Sequence, residues 1–245
     1  MGQPVDALTR MRAAVVSSGR QTAVQLPITF ARSADSKPML ARLMAGGQGG
    51  SVRLRLYLTL AMQATSVPRS VPARTPAAYA RLLGLDDETG PRRVSAALSF
   101  LVRLRLIERT GTRPGRITLL KPDGSGDEWI GSGSPRWIGL PLQLWQDGWV
   151  FALSARALAV YIALTELNGG TKNPNGEYMD TLRKRTYGMS DDTWTRATVD
   201  LREAGLLETT TERTGDDYSY FRFRKRYRLI HPKDVTLDWS TFNPE

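Results

Sequence analysis

The chain contains no cysteine and one histidine in 245 residues. Without cysteine there are no disulfides, no thiolate metal ligands and no thiol nucleophile. His231 stands immediately before Pro232, and any mechanism needing two histidines from one chain is excluded. No apolar run approaches the roughly 18–20 residues of a membrane-spanning helix. The N-terminus lacks the basic-then-apolar pattern of a secretion signal, so a cytoplasmic, nucleoid-associated location is expected.

Acidic residues are in short supply relative to basic ones. Lys and Arg total 34 against 24 Asp and Glu, a formal net charge of +10, and a field of that sign favours polyanions. The acidic residues that do cluster, Asp86-Asp87-Glu88, Asp191-Asp192 and Asp216-Asp217, fall in turns or at helix starts. Turn and capping preferences account for them without a metal. Tyr218, Tyr220 and Tyr227 lie among arginines, but a tyrosine-nucleophile enzyme also needs histidine, and His231 alone is a poor partner. The expectation is a protein that is not an enzyme, with no cofactor and no metal.

The passage from Met189 to Leu207 organises the rest. Ser190 reads as an N-cap, Asp191 and Asp192 suit the positive end of the helix dipole, and Gly205 suits a C-terminal cap. Trp194, Ala197, Val199, Leu201 and Ala204 form the apolar stripe, leaving Thr193, Thr195, Arg196 and Asp200 outside. A strand from Leu206 to Glu212, a turn at 214–217 and a returning strand from Tyr218 to Leu229 follow. In the returning strand Phe221, Phe223, Tyr227 and Leu229 alternate with Arg222, Arg224, Arg226 and Arg228. Strand geometry assigns the first set to the core face and the arginines to the other.

A similar order occurs earlier. A helix from Ser51 to about Ala64, with Ser51 as cap, precedes one opened by Thr75-Pro76 and stopped by Gly84. A third starts at Pro91, followed by strands at 106–109 and 116–120 around a tip at 110–115. Leu106-Ile107-Glu108 matches Leu206-Leu207-Glu208, Leu101 matches Leu201, Val94 matches Trp194, and Gly84-Leu85 matches Gly188-Met189. Tyr57 and Leu60 match Tyr161 and Leu164, Ser51-x-Arg53 matches Ser154-x-Arg156, and Leu26-Pro27 matches Leu140-Pro141. Retained order at near-constant spacing marks an internal repeat. The second copy places a helix from Ser154 to Leu167, a loop at 168–176 and a helix from Glu177 to Tyr187. Glycines 46–50 and residues 122–135 read as linkers. The expected division is an N-terminal extension at 1–50, a first domain at 51–121, a linker with the second Leu-Pro segment at 122–149, a second domain at 150–232 and a tail at 233–245.

Each half resembles a winged helix-turn-helix domain, on the passages Tyr187-Gly188-Met189-Ser190-Asp191-Asp192-Thr193 and Leu201-Arg202-Glu203-Ala204-Gly205-Leu206-Leu207. The pair is similar to actinobacterial tandem winged-helix regulators and to plasmid replication initiators. The resemblance covers roughly 51–121 and 150–230. It implies a mainly α fold with small β-hairpins and two winged helix-turn-helix domains in pseudo-tandem repeat. It also implies a site-specific binder of double-stranded DNA, most simply a repressor. A replication initiator on repeated origin sites is the alternative, and a protein-interaction scaffold the second. Self-association is compatible with each.

In such domains the third helix enters the major groove by its N-terminal half. Thr193, Thr195 and Arg196 fit that role in the second copy, and Arg92, Arg93 and Ser95 in the first. Arg222, Arg224, Arg226 and Arg228 form a row suited to phosphate oxygens, with Arg109, Arg113 and Arg116 as the first-copy equivalents. Arg183 and Arg185 lie on a second helix of the kind that crosses the DNA backbone. Two third helices in successive major grooves, about 34 Å apart, would let one chain read a direct or imperfect repeat.

Overall fold

The computed structural model describes residues 3–46, 48–111, 115–130, 136–169, 173–215 and 222–237. It consists of helices with small antiparallel sheets. After α1 (Gln3–Ser17) come β1 (Val24–Pro27), α2 (Ile28–Ala31), α3 (Met39–Met44), α4 (Gln48–Gln63), β2 (Ser70–Pro72), α5 (Pro76–Leu82), α6 (Gly90–Arg103), β3 (Ile107–Thr110) and β4 (Arg116–Leu119). The same succession then repeats. It runs β5 (Trp137–Leu140), α7 (Gln143–Gln146), α8 (Trp149–Ala152), α9 (Ala155–Leu167), β6 (Glu177–Tyr178), α10 (Thr181–Thr186), α11 (Asp191–Glu203), β7 (Leu207–Thr214) and β8 (Arg222–Leu229). A 3-10 turn, Pro232–Asp234, follows.

Matching elements form matching sheets, β2-β4-β3 and β6-β8-β7. Their local causes match as well. The Thr75 hydroxyl accepts from the Ala78 amide, Ser154 from Ala157 and Ser190 from Thr193, each filling one donor that a helix start leaves unpaired. Gly84, Gly188 and Gly205 turn the chain at φ of +68°, +64° and +72°. The next amide then bonds back into the preceding helix, Leu85 to Ala80, Met189 to Lys184 and Leu206 to Leu201. Arg105 takes the place of Gly205 in the first copy at φ +53°, and Leu106 bonds to Leu101 at 3.0 Å. A left-handed non-glycine residue costs about 1–2 kcal/mol, so packing imposes this turn even where the residue opposes it.

The core is continuous through both copies. Tyr57 and Tyr161, Val94 and Trp194, Leu101 and Leu201, and Leu106 and Leu206 are all buried. The first fifty residues are part of this core rather than an appendage. Phe30 stacks on Tyr57 at 5.4 Å, and Met11, Leu26 and Leu40 are fully enclosed. The copies also join directly. β1 pairs antiparallel with β5 in the register Val24–Leu140, Gln25–Gly139, Leu26–Ile138. Under the match of Leu26-Pro27 with Leu140-Pro141, Gln25 and Gly139 are equivalent residues paired with each other. That pair lies on the local two-fold axis of the ladder, which relates β1 to β5. The buried Arg55 of α4 donates to the Leu153 carbonyl at 3.1 Å across the same seam.

Several expectations are corrected. The helix expected from Ser51 starts at Gln48, so the 50/51 boundary lies within α4 and Gly49 and Gly50 are helical. A Cβ on Gly50 would stand 2.5 Å from the Met44 carbonyl oxygen, so glycine there lets α4 pack against the end of α3. Ser51 is buried in the helix and does not cap it, unlike Ser154. The described part of 122–135 packs. Trp129 is buried beneath the Arg69 guanidinium, Lys121 pairs with Asp127 at 2.7 Å, and Leu120 bridges to Glu128. The helix expected over 177–187 is instead the short strand β6, an Asp180 cap and α10. Val199 is 43% exposed, and Thr198 takes its place against the core. No helix among the described residues is long and apolar enough to cross a membrane.

Candidate nucleic-acid interface

The two copies present different chemistry at the start of their third helix. In α6 the first turn exposes Arg92 and Ser95 and half-exposes Arg93. No carboxylate pairs with either arginine among the described residues. Two cations at the positive end of a helix are locally unfavourable, and an anionic partner would relieve that. The preceding turn is held by Asp86, whose carboxylate accepts from the Thr89 amide at 2.5 Å and from the Thr89 hydroxyl at 2.7 Å. These bonds hold the Asp86 carboxyl below its ordinary range.

In α11 the corresponding groups bind one another. Arg196 pairs with Asp192 at 3.0 Å, Lys184 with Asp191 at 2.6 Å, and the Thr195 hydroxyl donates to the Asp191 carbonyl at 2.8 Å. Thr193 and Ser190 share a hydroxyl–hydroxyl bond at 2.9 Å. Thr195 and Arg196 are exposed and Thr193 half-buried, so all three remain reachable from solvent. Asp200 faces inward, where its carboxylate accepts from Ser154 and Arg156 and ties α11 to the start of α9.

The expected row of arginines on β8 is divided by its partners. Arg228 is paired with Glu208 on the neighbouring strand. Arg226 pairs with Glu212 at 2.8 Å and lies over the Tyr178 ring at 4.3 Å, while the Tyr178 hydroxyl donates to Glu212 at 2.5 Å. These contacts hold the Glu212 carboxyl below the usual range and raise Arg226. Arg224 stands 5.9 Å from the same ring, and Arg222 begins the strand. The opposite face departs from expectation too. Tyr227 and Leu229 are buried, with Trp194 edge-on to Tyr227 at 5.8 Å, whereas Phe223 is 76% exposed. The hairpin outruns the helices beneath it, so the outer positions have no core to face. Phe221 lies outside the described residues.

On the first hairpin Arg109 is exposed on β3. Arg116 is exposed on β4, and its guanidinium donates to Ser70 of β2 at 2.5 and 3.2 Å. Arg113 lies outside the described residues. On α10 the Arg183 guanidinium donates to the Tyr178 carbonyl at 2.8 Å, and Arg185 is exposed. The turn between α10 and α11 is braced from the other copy. The Ser33 amide bonds to the Thr186 carbonyl at 2.9 Å, and Arg32 pairs with Glu166 at 3.4 Å. Glu166 also accepts from the Tyr187 hydroxyl, whose ionisation burial pushes far above its ordinary range.

Sequence reasoning missed Tyr178, Glu208 and Glu212. The signal for Glu208 and Glu212 was their own alternation on β7, which places both on the arginine face. His231 caps the 3-10 turn, its ring accepting from the Lys233 amide, and burial lowers its basicity. No cluster of three His, Asp or Glu among the described residues could hold a metal ion. No protein-family model matches this chain, and no curated protein matches it.

Proposed function

We propose that the chain is a site-specific duplex DNA-binding protein that uses two winged helices, acting as a transcriptional repressor. One observation carries this reading. The order helix, strand, helix, helix, hairpin occurs twice with the same sheet order, and in each copy a third helix and a hairpin expose basic side chains. That order suits a major-groove reading head with a flanking wing. The net charge of +10 supplies the sequence-independent attraction. The protein-interaction reading leaves Arg92 and Arg93, which pair with no carboxylate among the described residues, without a purpose.

The two heads carry different residues, Arg92-Arg93 against Asp192-Thr193, so the half-sites would differ in sequence. A chain that carries two such heads can fill a two-part site without a second copy. That property favours the second reading, an initiator filling an array of origin sites chain by chain.

Footprinting on DNA from around the protein's own gene tests both. Protection of one site over a promoter is the repressor result, and several evenly spaced sites are the initiator result. No protected duplex even at low salt would overturn the DNA-binding reading.

A further inference from the structure

The two hairpins differ chiefly in length. The first starts at the pair Ile107–Leu119 and ends its ladder at Thr110–Arg116. The second has matching pairs from Leu207–Leu229 to Thr210–Arg226, then four more, ending at Thr214–Arg222. At about 3.3 Å per residue the added ladder carries the second hairpin roughly 13 Å further out. Arg222, Phe223, Arg224 and Lys225 in this extension are all exposed, so packing does not dictate their identity.

The register assigns their faces. Phe223 is directly opposite Arg213, and Lys225 is opposite Thr211. Successive side chains alternate, so these four share the face that carries Tyr227 and Leu229 nearer the body. That is the face on which Trp194 of α11 packs. Phe223 therefore overhangs on the α11 side, flanked by Arg213 and Lys225, while Glu208 and Glu212 lie on the reverse face with Arg226 and Arg228. Among the exposed large apolar side chains of the described residues, Phe223 alone is aromatic. An exposed strand end is served better by threonine or lysine than by an exposed phenylalanine.

We infer that Phe223, carried outward on the longer ladder of the second copy, is an apolar wedge that enters a base step from the minor groove beside the site of α11 and bends the duplex there. The inference rests on the DNA-binding reading above. An aromatic wedge partly unstacks a base step, and the bend lets more basic surface meet phosphate. Lys225, exposed on the same face, supplies charge complementary to the phosphates that border the groove. A flexible pyrimidine–purine step at the contact would lower the cost of the bend.

The test uses the full chain and a duplex carrying its footprinted site, labelled at both ends for energy transfer. Wild-type protein bends the duplex. F223A leaves the thermal midpoint unchanged, because the ring is exposed, but loses most of the bend and weakens binding about ten-fold. F223L keeps an apolar wedge and retains most of the bend. F223A bending the duplex as wild type does, or wild type binding it without a bend, overturns this inference and leaves DNA binding standing. Wild type failing to bind any duplex overturns both.

Discussion

Replacing Arg92 and Arg93 together by alanine separates two kinds of arginine on this protein. Neither side chain has a carboxylate partner among the described residues, and both sit at the start of α6. Arg226 and Arg228 carry the same formal charge but are held by Glu212 and Glu208. A phosphate contact releases counterions, and the slope of log K against log salt changes by about 0.9 per contact on duplex DNA. Losing two contacts should flatten the slope by about 1.8, which at about 0.1 M salt is a roughly 60-fold weaker complex, about 2.5 kcal/mol. Between about 0.05 and 0.2 M salt the wild-type affinity should then fall about 12-fold more than that of R92A/R93A. R226A/R228A should change the slope by less than half as much, because phosphate must first displace a carboxylate from each guanidinium. Fluorescence anisotropy on the footprinted duplex at four or five salt concentrations reads both slopes. Equal slope changes for the two double variants, or a larger change for R226A/R228A, would refute the argument that intramolecular pairing decides which arginines grip the backbone.

Other outcomes follow from packing and charge. W194A should cost about 3–5 kcal/mol in urea unfolding, because a fully buried ring packed against Tyr187 and Tyr227 leaves a cavity; a loss under about 1 kcal/mol would mean the site collapses around it. G19A and G188A share a left-handed backbone, at φ +65° and +64°, but only Gly188 is crowded, with Ala41 Cβ at 2.9 Å and Pro38 Cδ at 3.0 Å from an added Cβ. G19A should cost about 1–2 kcal/mol and G188A clearly more, and equal costs would contradict the close approach between the copies. Glu212 is depressed in the folded state by its bonds to Tyr178 and Arg226. Its contribution is therefore complete above the unfolded value near 4.5 and lost as pH falls through the folded one. Amide exchange in the β7–β8 hairpin should speed up below that pH in wild type, and E212Q should remove this acid-dependent part.

Local chemistry was enough for much of the architecture. Thr75-Pro76, Ser154 and Ser190 each satisfy donors within three residues of themselves, and Gly84, Gly188 and Gly205 permit a left-handed turn on their own. Such features need no distant partner, which is why these helix starts and stops and the repeat itself were legible, whereas the starts expected at Ser51 and Glu177 were misplaced. The exposure of Arg92, Ser95, Thr195 and Arg196 followed equally from helical spacing. The strands β2 and β6 were not legible, because Ser70–Pro72 and Glu177–Tyr178 are too short to show alternation and exist only by pairing with β4 and β8.

Distance in sequence explains the remaining differences. Trp129 is buried because Arg69, sixty positions earlier, covers it. Phe223 is exposed because the body ends before the hairpin does. The pairing of Arg226 with Glu212 and of Arg228 with Glu208 depends on strand register, which turns an apparent row of four equal cations into two neutralised members and an outer segment. Composition and periodicity set the charge, the caps and the repeat, since each is written in neighbouring residues. Which arginines are paired within the protein, and how the two copies face each other, were decided by contacts between residues 14 to more than 100 positions apart.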